Sequence, residues 1–313
     1  MLIRHLFKKH LDFSFCDRSK GIHVRVLERP GKWLSDSQLQ KIVQDLQSVV
    51  QESIPAGNLD YGVLKGNRQQ LEQAVLTIIY DSKTGRALAF NALTYMPCEL
   101  RGHHADVLHL GLVVVSPTCR EGGFSWILYG LTSLLLFFRG RFRPIWVSNV
   151  SQVPAIIGNV SKSFAHVYPT PQKTERAGID HLMLARQILA KHRAVFGVGP
   201  EATFDENDFV IQNAYTGGSD HLKKTFTQAQ QHRSPEYNDF CREKLDYDRG
   251  DDFLQLGVLT LASCHEYLTR SVPRKSLLAL GLGLGVMTLH GVFLPLFHWF
   301  DGKSHQGQVR PWA

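Results

Sequence analysis

A turn rich in glycine and small polar residues follows the apolar residues 113–115. Its fixed positions are spaced as P-x-x-R-x-x-G-x-S and are occupied by Pro117, Arg120, Gly123 and Ser125. The N-terminus of a helix offers unpaired backbone N–H groups and the positive end of the helix dipole, and glycine lets the backbone approach a phosphate closely. The pattern therefore predicts an anion-binding turn between a strand and a helix.

This turn resembles the pyrophosphate-binding signature R/Q-x-x-G-x-G/A of the GNAT superfamily of acyl-CoA-dependent acyltransferases. Ser125 stands in place of the last Gly or Ala of that signature. The resemblance implies that backbone N–H groups of residues 121–125 hold the pyrophosphate of an acyl-CoA, and that the preceding strand binds the pantetheine arm through its main chain. The implied cofactor-binding residues are Val113, Val114, Val115, Arg120, Glu121, Gly122, Gly123, Phe124 and Ser125.

The catalytic positions of the family are matched only in part. Ala155, Asn159, Ser163 and Phe164 are similar to its A-x-x-x-Y-x-x-x-G-F helix, so Asn159 stands where many members carry a tyrosine that protonates the departing thiolate. An amide cannot act as a general acid near neutral pH, so another group or water must supply that proton, or catalysis is weak or lost.

A base is also needed if the acceptor is an ammonium, and two residues near the predicted central strand are candidates. His109 and Asp106 face opposite sides of a regular strand, so only one of them can point into the cleft. We prefer His109 as the catalytic base. The alternative is a histidine whose hydrogen bonds are satisfied inside the sheet.

The periodicity of apolar residues predicts the elements that position these side chains. Strands are predicted at 22–28, 74–80, 87–96, 106–115, 144–150, 165–168 and 209–215, and helices at 35–52, 124–138, 153–164 and 176–193. The order from 22 to 168 is that of the GNAT fold. We therefore predict an α/β protein with a GNAT-like mixed central sheet and helices on both faces.

The chain divides into five predicted segments. They are an N-terminal amphipathic segment 1–20, a GNAT-like acyltransferase domain 21–216, a helical extension 217–275, a hydrophobic segment 276–300 and a tail 301–313. The helical extension is predicted because residues 253–268 are apolar at helical spacing. The first segment favours either shallow seating on a membrane surface or a helix packed on its own domain.

The segment 276–300 contains no Asp, Glu, Lys or Arg and is long enough to cross the hydrocarbon core of a bilayer. Arg270, Arg274 and Lys275 precede it, so the positive-inside rule keeps the preceding domain cytoplasmic. We predict a tail anchor on the cytoplasmic face of a membrane. A hairpin of buried helices that finishes a soluble core is the alternative.

Composition limits the remaining classes of function. The chain has 313 residues, 43% of them hydrophobic, and a net charge of +7, which excludes global disorder and suits phosphate-bearing ligands or anionic lipid. Nucleic acid is the partner least favoured, because basic residues do not cluster with aromatic ones. The five cysteines form no C-x-x-C pair, so we predict neither a disulfide framework nor a metal site.

The resemblance implies an enzyme that moves an acyl group from acyl-CoA, either acetyl-CoA or a longer one, to an amine. A hydroxyl is the less favoured acceptor, and the acceptor is a small or lipid-like molecule held near the membrane. The alternative is a membrane-tethered binding or regulatory protein on a catalytically weak or inactive GNAT scaffold. The glycine turn favours the enzyme, whereas Asn159 and the lack of a clear base favour the alternative.

Overall fold

The structure is a computed structural model that describes residues 9–53, 62–119, 124, 126–172, 174–216 and 222–272, together with positions 278, 281, 285 and 289. The predictions made for Arg120, Glu121, Gly122, Gly123 and Ser125 fall outside these residues, as does most of the segment 276–300. Those predictions therefore stay predictions.

Ten strands form one mixed sheet. They are β1 (Asp12–Asp17), β2 (Ile22–Glu28), β3 (Ala74–Asp81), β4 (Ala87–Leu100), β5 (His103–Val115), β6 (Ile145–Ser151), β7 (Ala165–Tyr168), β8 (Thr203–Asp205), β9 (Val210–Gln212) and β10 (Asp252–Leu259). Their order is β1-β2-β3-β4-β5-β6-β10-β9-β8, and β7 also pairs with β10. Only β5 and β6 pair in parallel; the other pairs are antiparallel.

Helices connect and cover these strands. The longer ones are α1 (Asp36–Ser53), α2 (Thr132–Arg139), α3 (Pro154–Ser163), α4 (Ile179–Lys191), α5 (Pro235–Lys244) and α6 (Leu261–Ser271). A π-helical segment, Trp126–Leu131, leads directly into α2. Short helical turns lie at Pro30–Lys32, Gly62–Lys65, Arg68–Leu71, Pro117–Cys119, Arg193–Phe196 and Ala214–Thr216.

The sheet has helices on both faces, as predicted. We call the face that packs against α1 and α4 the front face, where Val114 contacts the α1 cluster and Val107 contacts the α4 cluster. The back face packs against the π-helical segment, α2, α3 and α6. The element order β2, α1, β3, β4, β5, α2, β6, α3, β7 confirms the predicted GNAT-like arrangement.

Helix α1 illustrates how local sequence sets the boundaries. The Gln38 backbone N–H donates to the Ser35 hydroxyl, and the Ser35 backbone N–H donates to the Gln38 side chain at 3.0 Å. This reciprocal cap starts the helix where the sequence predicted it. Its apolar stripe, which includes Leu39, Ile42 and Leu46, is buried against the front face.

Within the extension predicted for residues 217–275, the helix expected from the apolar spacing of residues 253–268 is wrong in its first half. Residues 252–259 form β10, which lies between β6 and β9, and α6 begins only at Leu261. Every residue of β10 is buried. A strand buried on both faces lacks the alternation of apolar and polar residues. The apolar residues of β10 therefore also fit the spacing of an apolar helix face.

The N-terminal amphipathic segment needs a similar correction. Residues 12–17 form β1, an edge strand paired with β2. Leu11 is fully buried in the back-face core, so this end of the segment packs on its own domain. Residues 1–8 lie outside the described part of the chain.

Candidate functional site

The central strand β5 contains a bulge. Opposite it, β4 advances from Ala92 to Thr94, while β5 runs from Leu112 to His109, so β5 carries one extra residue. The packing agrees, because Val107 faces the front on one side of the bulge and Leu112 faces the front on the other. A bulge leaves a residue unpaired and bends the strand, which makes a backbone N–H available to a ligand.

Immediately beyond this point β5 and β6 separate. They pair at Val107–Trp146, Leu108–Val147 and His109–Ser148, and the described residues show no later pair between them. Strand β5 nevertheless continues to Val115 with only its β4 edge hydrogen-bonded as a ladder. The predicted cofactor-binding residues Val113, Val114 and Val115 lie on this separated part.

A cavity of about 320 Å³ opens on the back face where the strands part. Leu110 and Asn149, the first residues after the last parallel pair, lie on its floor. The π-helical segment, α2, α3 and α6 supply the walls. None of the described residues that line the cavity is Asp, Glu, Lys, Arg or His, so the cavity suits an uncharged chain with amide or hydroxyl groups.

Asn159 lines this cavity from α3, where the resemblance placed it. Two phenols that the sequence did not single out line it as well: Tyr129 of the π-helical segment and Tyr267 of α6. Burial raises the pKa of both phenols, which keeps them protonated and able to donate a hydrogen bond. The structure therefore brings Asn159 together with two hydroxyl donors.

The one feature of the sequence that is related to Tyr267 is Gly130, a glycine inside a predicted helix. A Cβ on Gly130 would lie 2.6 Å from Cε1 of Tyr267, so only glycine lets the ring pack directly on the helix backbone. Because α6 comes long after the glycine turn in the chain, no local spacing connects the two residues. The contact closes one side of the cavity.

His109 does not lie in this cavity. Its side chain is 2% exposed, on the front face, with Nδ1 3.1 Å from the Ser148 hydroxyl and its ring 5.3 Å from that of Phe196. Burial lowers the pKa of His109 to about 4, so the imidazole is neutral at pH 7. The alternative weighed for it, a histidine satisfied inside the sheet, describes this geometry.

Asp106, the second candidate base, is also engaged elsewhere. Its carboxylate accepts a hydrogen bond from Arg29 at 2.8 Å and lies 3.0 Å from Nε2 of His104. It precedes His109 on the opposite face of β5, as predicted. The structure gives the cavity no carboxylate or imidazole among its described lining residues.

Of the predicted phosphate-binding turn, Phe124 alone is described. Its ring is buried in the back-face core beside Val113 and Val115. The ammonium of Lys20, in the turn between β1 and β2, lies 5.9 Å from the centre of that ring. A positive charge therefore lies next to Phe124, two residues before the π-helical segment begins.

Two findings concern other predicted features. Within the described ranges, no helix is both long and apolar enough to cross a membrane. The predicted anchor 276–300 lies almost wholly outside those ranges. In the same ranges, no group of three His, Cys, Asp or Glu residues could hold a metal ion.

By its element order and sheet topology the chain has a GNAT-like α/β fold with a bulged, diverging central strand pair. Solved structures similar to it include an acetyltransferase from Trypanosoma brucei, with a TM-score of 0.25, 21% identity, and coverage of 38% of this chain and 77% of that one. Ribosomal-protein-S5-alanine acetyltransferase from Vibrio fischeri gives a TM-score of 0.32 at 10% identity, with coverage of 79% and 97%.

Mutant forms of the spermidine/spermine N-acetyltransferase from Vibrio cholerae give a TM-score of 0.29 at 12% identity, with coverage of 46% of this chain and 80% of that one. Likenesses at these scores bear at most on the fold, and nothing about activity rests on them. No protein-family model and no curated protein sequence gives a significant match.

Proposed function

We propose that this protein is an acyl-CoA-dependent N-acyltransferase. It would move an acyl group from acetyl-CoA or a longer acyl-CoA to an amine, with a hydroxyl as the less favoured acceptor. We further propose that the reaction takes place at the cytoplasmic face of a membrane, on a small or lipid-like acceptor. The acceptor and the membrane rest on the sequence alone.

The observation that carries the proposal is the uncharged cavity at the point where β5 and β6 separate beyond the β5 bulge. A pantetheine arm is a flexible, uncharged chain with two amides and needs a groove of this chemistry. The edge of β5 that shows no partner among the described residues would offer it backbone groups, which is the role that the resemblance implies for Val113, Val114 and Val115. The predicted glycine turn and the nearby Lys20 suit the negative phosphates at the other end of the cofactor.

The chemistry would be direct transfer. The amine nitrogen bonds to the thioester carbonyl carbon, the carbon–sulfur bond breaks, and the sulfur leaves as a thiolate that takes up, through water, the proton lost from the nitrogen. An unpaired N–H at the bulge would polarise the carbonyl oxygen. Tyr129 and Tyr267 are protonated phenols in the same cavity and would donate hydrogen bonds to the departing thiolate, which Asn159 cannot protonate.

Calorimetric titration of the full chain with acetyl-CoA and with longer acyl-CoAs tests the proposal. We expect micromolar binding of at least one acyl-CoA and release of free thiol when an amine panel is added. The Gly123→Val variant should lose CoA binding, because a β-branched side chain cannot make the close backbone approach predicted there. If none of the acyl-CoAs binds, the proposed acyl-CoA-dependent acyltransferase activity is excluded.

A second function is favoured by one specific observation, the burial of His109 away from the cavity. A GNAT scaffold that binds CoA without turnover would serve as a binding or regulatory protein tethered to the membrane. Binding of acyl-CoA without thiol release across the amine panel would favour this function. Thiol release that depends on an amine would exclude it.

A further inference from the structure

Two buried amide side chains face each other across β6 and β10. Asn149 and Gln255 are directly opposite in the antiparallel register, and both side chains lie on the back face. They are 4% and 0% exposed. Of the two, only Asn149 lines the cavity, next to Leu110 at the point where β5 leaves β6.

The hydrogen bonds of Gln255 fix which of its atoms points toward Asn149. Its Nε2 donates to the Pro169 carbonyl at 3.0 Å and to the Ser161 hydroxyl at 3.2 Å. The Ser161 hydroxyl gives its own proton to the Ile157 carbonyl at 2.8 Å, so it can only accept from Gln255. The carbonyl oxygen Oε1 of Gln255 must therefore face Asn149.

This arrangement in turn fixes Asn149. Its Nδ2 donates to Oε1 of Gln255 at 3.2 Å. No described residue donates a hydrogen bond to Oδ1 of Asn149, which leaves that atom as an acceptor on the cavity side. A flipped amide would place two carbonyl oxygens against each other, so the network locks the acceptor outward.

We infer that Asn149 Oδ1 accepts a hydrogen bond from an amide N–H of the cofactor's pantetheine arm, and that Gln255 is the positioning residue that aims it. The chemical class that this acceptor selects is a neutral secondary amide, since none of the described lining residues carries a charge that would attract an ion. The inference rests on the proposed function for the identity of the ligand. The orientation of the acceptor follows from the network alone.

Titration of the full chain with CoA and with 3′-phosphoadenosine 5′-diphosphate, which lacks the pantetheine arm, tests the inference. We expect Asn149→Leu to weaken CoA binding about ten-fold, the usual cost of one hydrogen bond to a buried group, and to leave the armless nucleotide unaffected. Equal affinity of the variant and the unaltered chain for CoA would overturn the inference. If the unaltered chain binds neither probe, the proposed function fails, which is a different result.

The role of Gln255 is tested by a double-mutant cycle. Gln255→Leu should weaken CoA binding in the unaltered chain but not further in Asn149→Leu, because the residue acts through Asn149. Equal losses in both backgrounds would contradict a positioning role. Circular dichroism of each variant shows whether it folds, and the Asn149 variants keep the test decisive if Gln255→Leu does not.

In Asn149→Asp, the affinity for CoA should depend on pH in a way that a purely structural role of Asn149 would not produce. A neutral carboxyl can donate to Gln255 Oε1 and still accept from the ligand, whereas an ionised carboxylate cannot donate to Gln255. We expect the CoA affinity of this variant to fall as pH rises from about 5 to about 8, relative to the unaltered chain. A constant ratio of the two affinities across that range would count against the inference.

Discussion

At the residue scale, each polar side chain near the point where β5 and β6 separate faces either the front or the back of the sheet. That orientation decides whether the side chain can reach the cavity. His109 and Ser148 face the front and satisfy each other, while Asn149 and the two tyrosines face the cavity at the back. The resemblance alone could not assign these sides, because they depend on the bulge in β5. The pKa values of the buried front-face groups are therefore set by the fold.

For His109 we predict a stability that depends on pH. Burial holds its pKa at about 4, below the ordinary 6.5, so the unfolded chain binds the proton more readily. Its contribution is complete above about pH 6.5 and is lost as pH falls through about 4, and it is worth at most about 3 kcal/mol. Urea unfolding of His109→Gln from pH 7.5 to 4.5 should show a flatter dependence than the unaltered chain.

Exposed His103 provides the control, because His103→Gln removes a histidine at the start of the same strand. Its unfolding curves should follow those of the unaltered chain at every pH. If His109→Gln also follows the unaltered chain, the histidine is not buried in a neutral form.

Asp252 should show the opposite dependence. It is 5% exposed and accepts a hydrogen bond from the Tyr215 hydroxyl at 3.0 Å, and burial raises its pKa to about 7. The folded chain then holds the proton more tightly than the unfolded chain, so stability is present at low pH and is lost as pH rises from about 4 to about 7.

Asp252→Asn keeps the acceptor for Tyr215 and removes the charge. We expect it to raise the free energy of unfolding by about 1–3 kcal/mol at pH 8 and to change it little at pH 4.5. Asp248→Asn, at an exposed position on the same loop, is the matched control. A loss of stability at pH 8 in Asp252→Asn would contradict a raised pKa for the buried carboxyl.

At the element scale, the sequence correctly predicted the helices and strands whose boundaries are set by residues close together in the chain. The cap at Ser35, the hairpin of β3 and β4, and strands β2 and β7 lie where spacing and turn residues placed them. The helix predicted at 124–138 begins as a π-helical segment, which leaves no clear mark in the apolar pattern. What could not be predicted is which helix face meets which later element.

The contact between the π-helical segment and α6 yields an element-scale prediction. Gly130→Ala places a methyl group 2.6 Å from Cε1 of Tyr267, so the tyrosine must leave its position on the cavity wall. We expect this variant to lose about 1–3 kcal/mol of stability despite the better helix propensity of alanine. Thermal and urea unfolding measure the loss.

The partner variant separates the clash from an effect on the helix itself. In a Tyr267→Ala background the added methyl group meets no ring, and Gly130→Ala should then be neutral or stabilising. The same loss in both backgrounds would mean that the ring does not pack on Gly130.

At the scale of the whole molecule, the sheet is assembled from distant parts of the chain. Strand β10 enters between β6 and β9, and its residues Phe253, Leu254 and Leu256 are fully buried. A single sequence shows which residues are apolar but not which neighbour a strand will find. The predicted boundary near residue 217 therefore separated a strand from the sheet that it completes.

Truncation checks this assembly. A chain ending at 272 retains β10 and α6 and should unfold cooperatively. A chain ending at 251 removes the strand between β6 and β9, exposes the apolar residues of both, and should not fold. Circular dichroism melting of the two chains provides the measurement. A cooperative transition in the shorter chain would show that β10 is dispensable.

The last prediction concerns the segment 276–300, for which a membrane anchor and a buried hairpin were both open. Its four described positions, Leu278, Gly281, Gly285 and Leu289, are helical and exposed. The two leucines are 67% and 51% exposed, and a Cβ added at either glycine would meet nothing within 4 Å. Exposed leucines and glycines suit lipid better than water, so we expect an anchor.

Carbonate extraction of membranes tests this expectation with three chains. The full chain should stay in the membrane fraction, and the chain ending at 272 should be released. Leu289→Arg should be released in part, because an arginine near the centre of a span costs about 2.5–3.5 kcal/mol of insertion free energy. Release of the full chain into the soluble fraction would reject the anchor, and the exposed leucines would then need a protein partner to cover them.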